Sequence, residues 1–261
     1  MLAAIAGDMV GSVHEKAHIK RMNFALFGQN SSFTDDTVLT VAVADALVQD
    51  KPYAERIRHW AQAYPRRGYG GMFREWMARD DAEPYGSYGN GSAMRVSPVG
   101  WAFHRKKEVL DAAMASAAVT HDHPEGIKGA QAVALAIFLA RKGADRKAIR
   151  AEIEAMFGYD LGRSIARIRP SYRFDVTCQG SVPEAIIAAL EATSVEEAIR
   201  LAVSLGGDAD TQACIAGGIA QARFGEVPEE LRAEVLRRLD EPMRAVLRAF
   251  EVRFGSTGSG F

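Results

Sequence analysis

The period of the apolar residues constrains this chain more than any other feature. Val38, Val41, Ala42, Ala44 and Val48 recur at intervals of three and four, with Asp45 the one substantial polar interruption before Gln49-Asp50-Lys51-Pro52. That spacing places them on the faces of one largely buried helix. Further periodic runs cover about 54–63, 70–79, 93–104, 107–119, 125–141, 146–157, 182–192, 195–205, 209–223 and 229–250. Several begin at recognisable signals: Asp145 before Arg146-Lys147-Ala148, Thr193-Ser194 before Val195-Glu196-Glu197, and Pro228 before a glutamate-rich turn. The one stretch rich in β-formers, Tyr172 to Thr177, is too short and isolated to make a sheet and reads as an extended connection. Alanine-rich runs such as Ala112 to Ala118 let helices approach closely. The expected fold is all-α, a compact orthogonal bundle of many helices.

Composition permits one large core. Hydrophobic residues make up 48% of the 261, which supplies that core and argues against disorder. No linker divides the chain, so residues 1–254 are expected to form a single domain, followed by a flexible Gly/Ser tail over 255–261. Lysine and arginine total 32 against 33 acidic residues, so no whole-chain field exists to hold nucleic acid or an anionic membrane, and any anion must be recognised locally. Cys178 and Cys214 fit neither a zinc module nor a disulfide framework and read as buried free thiols. The apolar start, Met1 to Ala6, is broken by Gly7-Asp8 before a signal or membrane segment is complete, which points to a cytoplasmic protein.

The chemistry concentrates at helix starts. Thr34-Asp35-Asp36-Thr37 stands directly before one apolar helix, and Asp208-Ala209-Asp210-Thr211 before another. A single N-cap accounts for one oxygen ligand, not four, and the same situation occurs twice. Carboxylates and hydroxyls without adjacent histidine or cysteine are hard donors, suited to magnesium first, and to manganese or calcium, rather than structural zinc. Converging carboxylates repel one another unless a pair of divalent ions neutralises them. The Gly206-Gly207 pair allows the turn that delivers the second cluster.

With these clusters on the page, the chain resembles the ADP-ribosylglycohydrolase family. The resemblance rests on five ordered motifs: Gly7-Asp8-Met9-Val10-Gly11-Ser12, Thr34 to Thr37, Gly89-Asn90-Gly91-Ser92-Ala93-Met94-Arg95, Thr120-His121, and Gly206 to Thr211 with the glycine-containing helix that follows. It implies an all-α hydrolase holding two magnesium ions, with ADP-ribose in a cleft beside them and ADP-ribosylated acceptors as partners. By motif it implies Thr34, Asp35, Asp36, Asp208, Asp210 and Thr211 as metal ligands. It also places Glu15 at the position of a mobile catalytic glutamate, against the plain alternative of a solvated surface glutamate. If arginine-directed relatives are the better template, the base is a ligand aspartate, Asp35 or Asp210.

The loop Gly86-Ser87-Tyr88-Gly89-Asn90-Gly91-Ser92 resembles a phosphate and ribose cradle, with Tyr88 against adenine or ribose, and Gly70 a phosphate-contacting glycine. His121 falls beside the ligand, whereas His123-Pro124-Glu125 starts the next helix. The short span between the glycine motif and Thr34 implies an abbreviated lid. Neither the leaving group, whether arginine, serine or nucleic acid, nor the oligomeric state is legible. Two rivals stand beside this reading: an inactive ADP-ribose-binding relative, and a helical metal phosphohydrolase built on His121-Asp122. The second leaves Thr34 to Thr37 and Gly89 to Arg95 without a role.

Overall fold

A computed structural model describes residues 1–255. The expected tail, apart from Gly255, lies outside the described residues. The helices are α1 (Leu2–Gly11), α2 (Asp35–Gln49), α3 (Tyr53–Ala63), α4 (Gly71–Met77), α5 (Gly91–Met94), α6 (Ser97–Ala102), α7 (Lys106–Ala118) and α8 (Pro124–Arg141). They continue with α9 (Arg146–Phe157), α10 (Ile165–Ile168), α11 (Cys178–Glu191), α12 (Val195–Val203), α13 (Ala209–Phe224), α14 (Glu229–Arg238) and α15 (Glu241–Phe254). No strand occurs among the described residues. Tyr172 to Thr177 is extended, as expected, and forms one isolated antiparallel bridge, between Thr177 and Gly89.

Two helices form the axis. Every residue of α1 is buried, and α13 is buried along nearly its whole length. Helices apolar on all sides belong in the middle of a protein. Around α13 pack α1, α8, α11 and α12, while α2 lies against α3, α6 and α15. One hydrophobic cluster runs from Met1 to Phe250 through all these layers.

The axis is tight because glycines face backbone. A Cβ on Gly7 would stand 2.0 Å from the Ala213 carbonyl oxygen, one on Gly11 2.4 Å from that of Ala209, and one on Gly217 2.2 Å from that of Ala3. Only hydrogen fits there. Gly7 and Asp8 end the apolar run in the sequence without ending the helix. The helix runs straight through both residues, because packing overrides the weak intrinsic preference of glycine against helix.

Three other boundaries differ from expectation. The run 93–104 is two helices, with Pro98 in the first turn of α6. The run 229–250 breaks at Asp240, which caps α15 by accepting from the Met243 amide, with Pro242 in the first turn. Helix α11 starts four residues early, at Cys178, where Thr177 Oγ1 accepts from the Gly180 amide. The caps expected at Asp145 and Ser194 are present. Among the described residues, no helix is long and apolar enough to cross a membrane.

Candidate active site and metal centre

The starts of α2 and α13 meet beside the end of α1. Thr34 caps α2 with a side-chain oxygen that accepts from the Asp36 amide, and Asp208 takes the corresponding place before α13. Thr211 donates to Asp36 Oδ2 at 3.2 Å, joining the two clusters across 175 residues. Asn90 Nδ2 donates to Asp208 Oδ2 at 2.7 Å and so ties the glycine-rich loop to the same point.

Carboxylate oxygens of Asp8, Asp36 and Asp210 lie within 4.8 Å of one another, and so do those of Glu15, Asp208 and Asp210. Asp210 belongs to both triads. Asp35 belongs to neither, but its carboxylate faces the same cavity, and a Cβ on Gly68 would meet its Oδ1 at 3.0 Å.

Asp8 is the residue that sequence reasoning passed over. It is fully buried, and its two oxygens accept from the amides of Thr34 and Thr37 and from both threonine hydroxyls. It thereby clamps the turn that presents Asp35 and Asp36. A charged residue inside an otherwise apolar run was the available signal, since aspartate is almost never fully buried without partners.

Burial raises the carboxyls of Asp8, Asp36, Asp208, Asp210 and Glu15 above their ordinary range, and pushes Asp35 up to about 8. Mutual repulsion adds to burial for Asp35, Asp36 and Asp210, while Asp208 adds to it for Glu15. No ion pair among the described residues engages any of the six. Asp36 Oδ1 is buried and has no hydrogen-bond partner. So many desolvated oxygens without a counter-charge suit divalent cations.

A cavity of about 330 Å³ opens over these carboxylates. Glu15, Thr34, Asp35, Asp36, Asp208, Asp210 and Thr211 line it, as do Gly70, Ser87, Gly89, Asn90, Gly91 and His121. The structure thus gathers most of the expected residues into one place. Gly86, Tyr88 and Ser92 lie off its wall. Ser92 is buried and donates to the Gly126 carbonyl, and the exposed ring of Tyr88 meets His123 edge-on.

The amides of Gly86, Gly89 and Asn90 are already bonded, to Asp122, Ser87 Oγ and the Val176 carbonyl respectively. Those of Ser87 and Tyr88 have no partner among the described residues. Arg67 also lines the cavity, with its guanidinium 3.7 Å over the Phe33 ring.

His121 closes the far end. Burial, and then the nearby Arg95 charge, drive its pKa well below the ordinary range, so the ring is neutral. Its Nδ1 lies 2.7 Å from Thr120 Oγ1, which in turn accepts from the buried Arg95 Nη2 at 3.0 Å. Its Nε2 faces the loop, 3.1 Å from where a Cβ on Gly91 would stand.

Known proteins can be set beside this geometry. The family model described as ADP-ribosylglycohydrolase matches residues 1–256. The chain belongs to the ADP-ribosylglycohydrolase family. As a member, it is a hydrolase of ADP-ribosyl compounds. It is 28% identical to ADP-ribosylhydrolase ARH3 of Mus musculus, over 88% of this chain and 84% of the relative. It is 25% identical to ADP-ribosylarginine hydrolase Tri1 of Pseudomonas putida, over 86% of this chain and 69% of that protein. Among solved structures it is similar to one titled an ADP-ribosylglycohydrolase-related protein complex. There the TM-score is 0.70 and identity 26%, over 97% of this chain and 96% of the other.

Proposed function

We propose that this protein is a magnesium-dependent hydrolase that cleaves the N- or O-glycosidic bond between ADP-ribose and an acceptor and releases ADP-ribose. One observation carries the reading: two acidic triads sharing Asp210 lie at the base of a cavity whose other end is built by the glycine-rich loop and His121. Two ions fit that arrangement, with Thr34, Asp35, Asp36, Asp208, Asp210 and Thr211 as ligands. Asp8 then serves chiefly to hold Thr34 and Thr37, since their donors already occupy its oxygens. Manganese is the closest substitute. Bound divalent ions would supply charge to orient the ribose hydroxyls and lower the pKa of a coordinated water.

The chain's own groups do the rest. Glu15 lies within 4.8 Å of Asp208 and Asp210, and burial followed by the Asp208 charge raises its pKa, which suits a group that passes a proton to or from the scissile bond. The ring of carboxylates favours positive charge developing at the anomeric carbon. The unpaired Ser87 amide at the cavity wall is available to a phosphate oxygen, and His121, held neutral, adds a ring nitrogen without a charge. The protein acts as one unit over residues 1–254, in the cytoplasm, where Cys178 and Cys214 remain free thiols.

Glu15→Gln separates catalysis from binding. Turnover is expected to fall about 10²- to 10⁴-fold, the usual worth of a positioned acid or base, while ADP-ribose affinity stays within about threefold. Full activity in that variant would remove Glu15 from the mechanism. The direct test of the reading is mass-spectrometric detection of free ADP-ribose from ADP-ribosylated arginine, serine and nucleic-acid substrates, with magnesium and then with chelator. Nucleotide phosphate release instead would support the phosphohydrolase rival.

Magnesium should also show a pH signature. Carboxyls with raised folded pKa keep protons that the unfolded chain releases above about pH 4, so they make the metal-free protein lose stability as pH rises toward 8. Metal binding displaces those protons, so the rise in melting temperature on adding magnesium should grow between about pH 6 and 8. A shift that shrinks with rising pH would contradict it.

A further inference from the structure

A second cavity lies next to the cleft. It measures about 450 Å³ and is lined by Arg163, Arg167, Ile168, Ser171, Tyr172, Arg173, Phe174 and Asp175. Three arginines from the α10 segment and the extended connection line one concave surface. Among the described residues Arg167 has no partner, and Arg173 is bonded only to the carbonyls of Ser171 and Tyr172. Arg163 is held by Glu184 at 2.7 Å and by Asp160 at 3.4 Å, which leaves Arg167 and Arg173 as the unneutralised pair. The one carboxylate on the wall, Asp175, is engaged by the Thr177 amide at the start of α11. Beside the pocket, Lys20 Nζ donates to the Tyr172 carbonyl, and burial followed by the charges of Arg173 and Arg169 lowers its pKa. Positive charge is in local excess in a chain that is almost neutral overall.

The pocket sits on the Glu15 side of the cleft. Phe174 lines both cavities and meets His18, three residues beyond Glu15, edge-on with ring centres 6.0 Å apart. Tyr172 forms the partition: a Cβ on Gly207 would touch its ring at 2.4 Å, and Asp208 is the next residue. The two cavities therefore adjoin at Phe174, on the side where His18 packs.

We propose that this pocket is a subsite for a phosphate group on the acceptor half of the substrate, and that the acceptor it favours is a nucleotide. The inference rests on the hydrolysis proposed above and adds a specificity element to it. Guanidinium forks match phosphate oxygens in pairs, and several of them balance a charge greater than one. The Tyr172 and Phe174 rings offer a face to a base, which an acidic peptide would not use.

The test compares wild type with the double variant Arg167→Glu, Arg173→Glu on four substrates. Two carry acceptor phosphate: an ADP-ribose dimer and an ADP-ribosylated, phosphorylated oligonucleotide. Two lack it: an ADP-ribosylated serine peptide with neutral flanks and one with acidic flanks. The variant is expected to raise KM about tenfold or more for one or both phosphate-bearing acceptors, with kcat unchanged and both peptides unaffected. Which of the two responds identifies the source of the phosphate. Equal effects on all four, no effect, or an effect on the acidic peptide instead would each overturn the inference.

If wild type releases ADP-ribose from none of the four, the hydrolysis reading fails and the pocket is judged by equilibrium dialysis of inorganic pyrophosphate with ADP-ribose in excess. Saturable binding that the double variant weakens about tenfold or more supports the subsite. Binding that is absent, or unchanged in the variant, overturns it.

Discussion

Replacing Asp210 by asparagine is expected to lower turnover on the order of 10³-fold or more, because the residue belongs to both acidic triads and no other carboxylate does. The amide keeps the shape and removes the charge. Asp210 is buried among Asp8, Asp36 and Asp208, and each raises its pKa beyond what burial alone does. Removing one of several repelling carboxylates should therefore leave the metal-free variant at least as stable as wild type. The melting-temperature rise on adding magnesium should disappear with the activity. Asp35→Ala and Asp208→Ala should also abolish magnesium-dependent hydrolysis. A variant at Asp210 that unfolds, or one that turns over at the wild-type rate, contradicts the assignment, and calorimetry with a steady-state assay distinguishes the two.

The second large effect concerns the helical axis beneath the site. Gly217 and Gly218 are neighbours on α13, yet alanine at the two positions should act in opposite directions. A Cβ at Gly217 would lie 2.2 Å from the Ala3 carbonyl oxygen and 2.9 Å from its carbon, so α1 and α13 would have to separate. Backbone cannot yield as a side chain does, and a loss of about 3–5 kcal/mol is expected, at the upper end for single substitutions. At Gly218 the nearest atoms are methyl and methylene carbons 3.4 Å away, an ordinary contact. Alanine there should be neutral or stabilise by up to about 1 kcal/mol, since glycine is a poor residue inside a helix. Denaturant unfolding of the pair measures both. Activity should follow stability at Gly217, because α1 carries Asp8 and α13 carries Asp210, and separating the helices pulls that triad apart.

The same helices show what the sequence could and could not display. Helix period identified α2 and α13 and put the two acidic clusters at their starts, where the structure has them. The period failed for α1. Its ten residues are apolar apart from Asp8, so no polar face exists to reveal a helix, and Gly7 weakens the signal unless the partner backbone 2.0 Å from its missing Cβ is known. Asp8 was lost with it, since its value lies in Thr34 and Thr37, more than twenty residues away.

The breaks inside 93–104 and 229–250 were legible in principle. Pro98 and the Asp240-Glu241-Pro242 start signal mark them in the sequence. Arg163, Arg167 and Arg173 carry no motif, and only the folded connection brings them onto one wall. Glycine spacing in the loop from Gly86 to Ser92 pointed to a row of open amides. Folding closes three of them on Asp122, Ser87 and Val176, while the Ser87 amide at the cavity wall has no partner among the described residues.

The central claim, that two divalent ions share Asp210 at the floor of an ADP-ribose cleft, is tested most directly by an anomalous difference map from a crystal grown with manganese and ADP-ribose. The expected result is two peaks about 3.5–4 Å apart, both contacted by Asp210 and both near the ribose. A map without manganese between the starts of α2 and α13, or with ADP-ribose bound away from it, would contradict the claim.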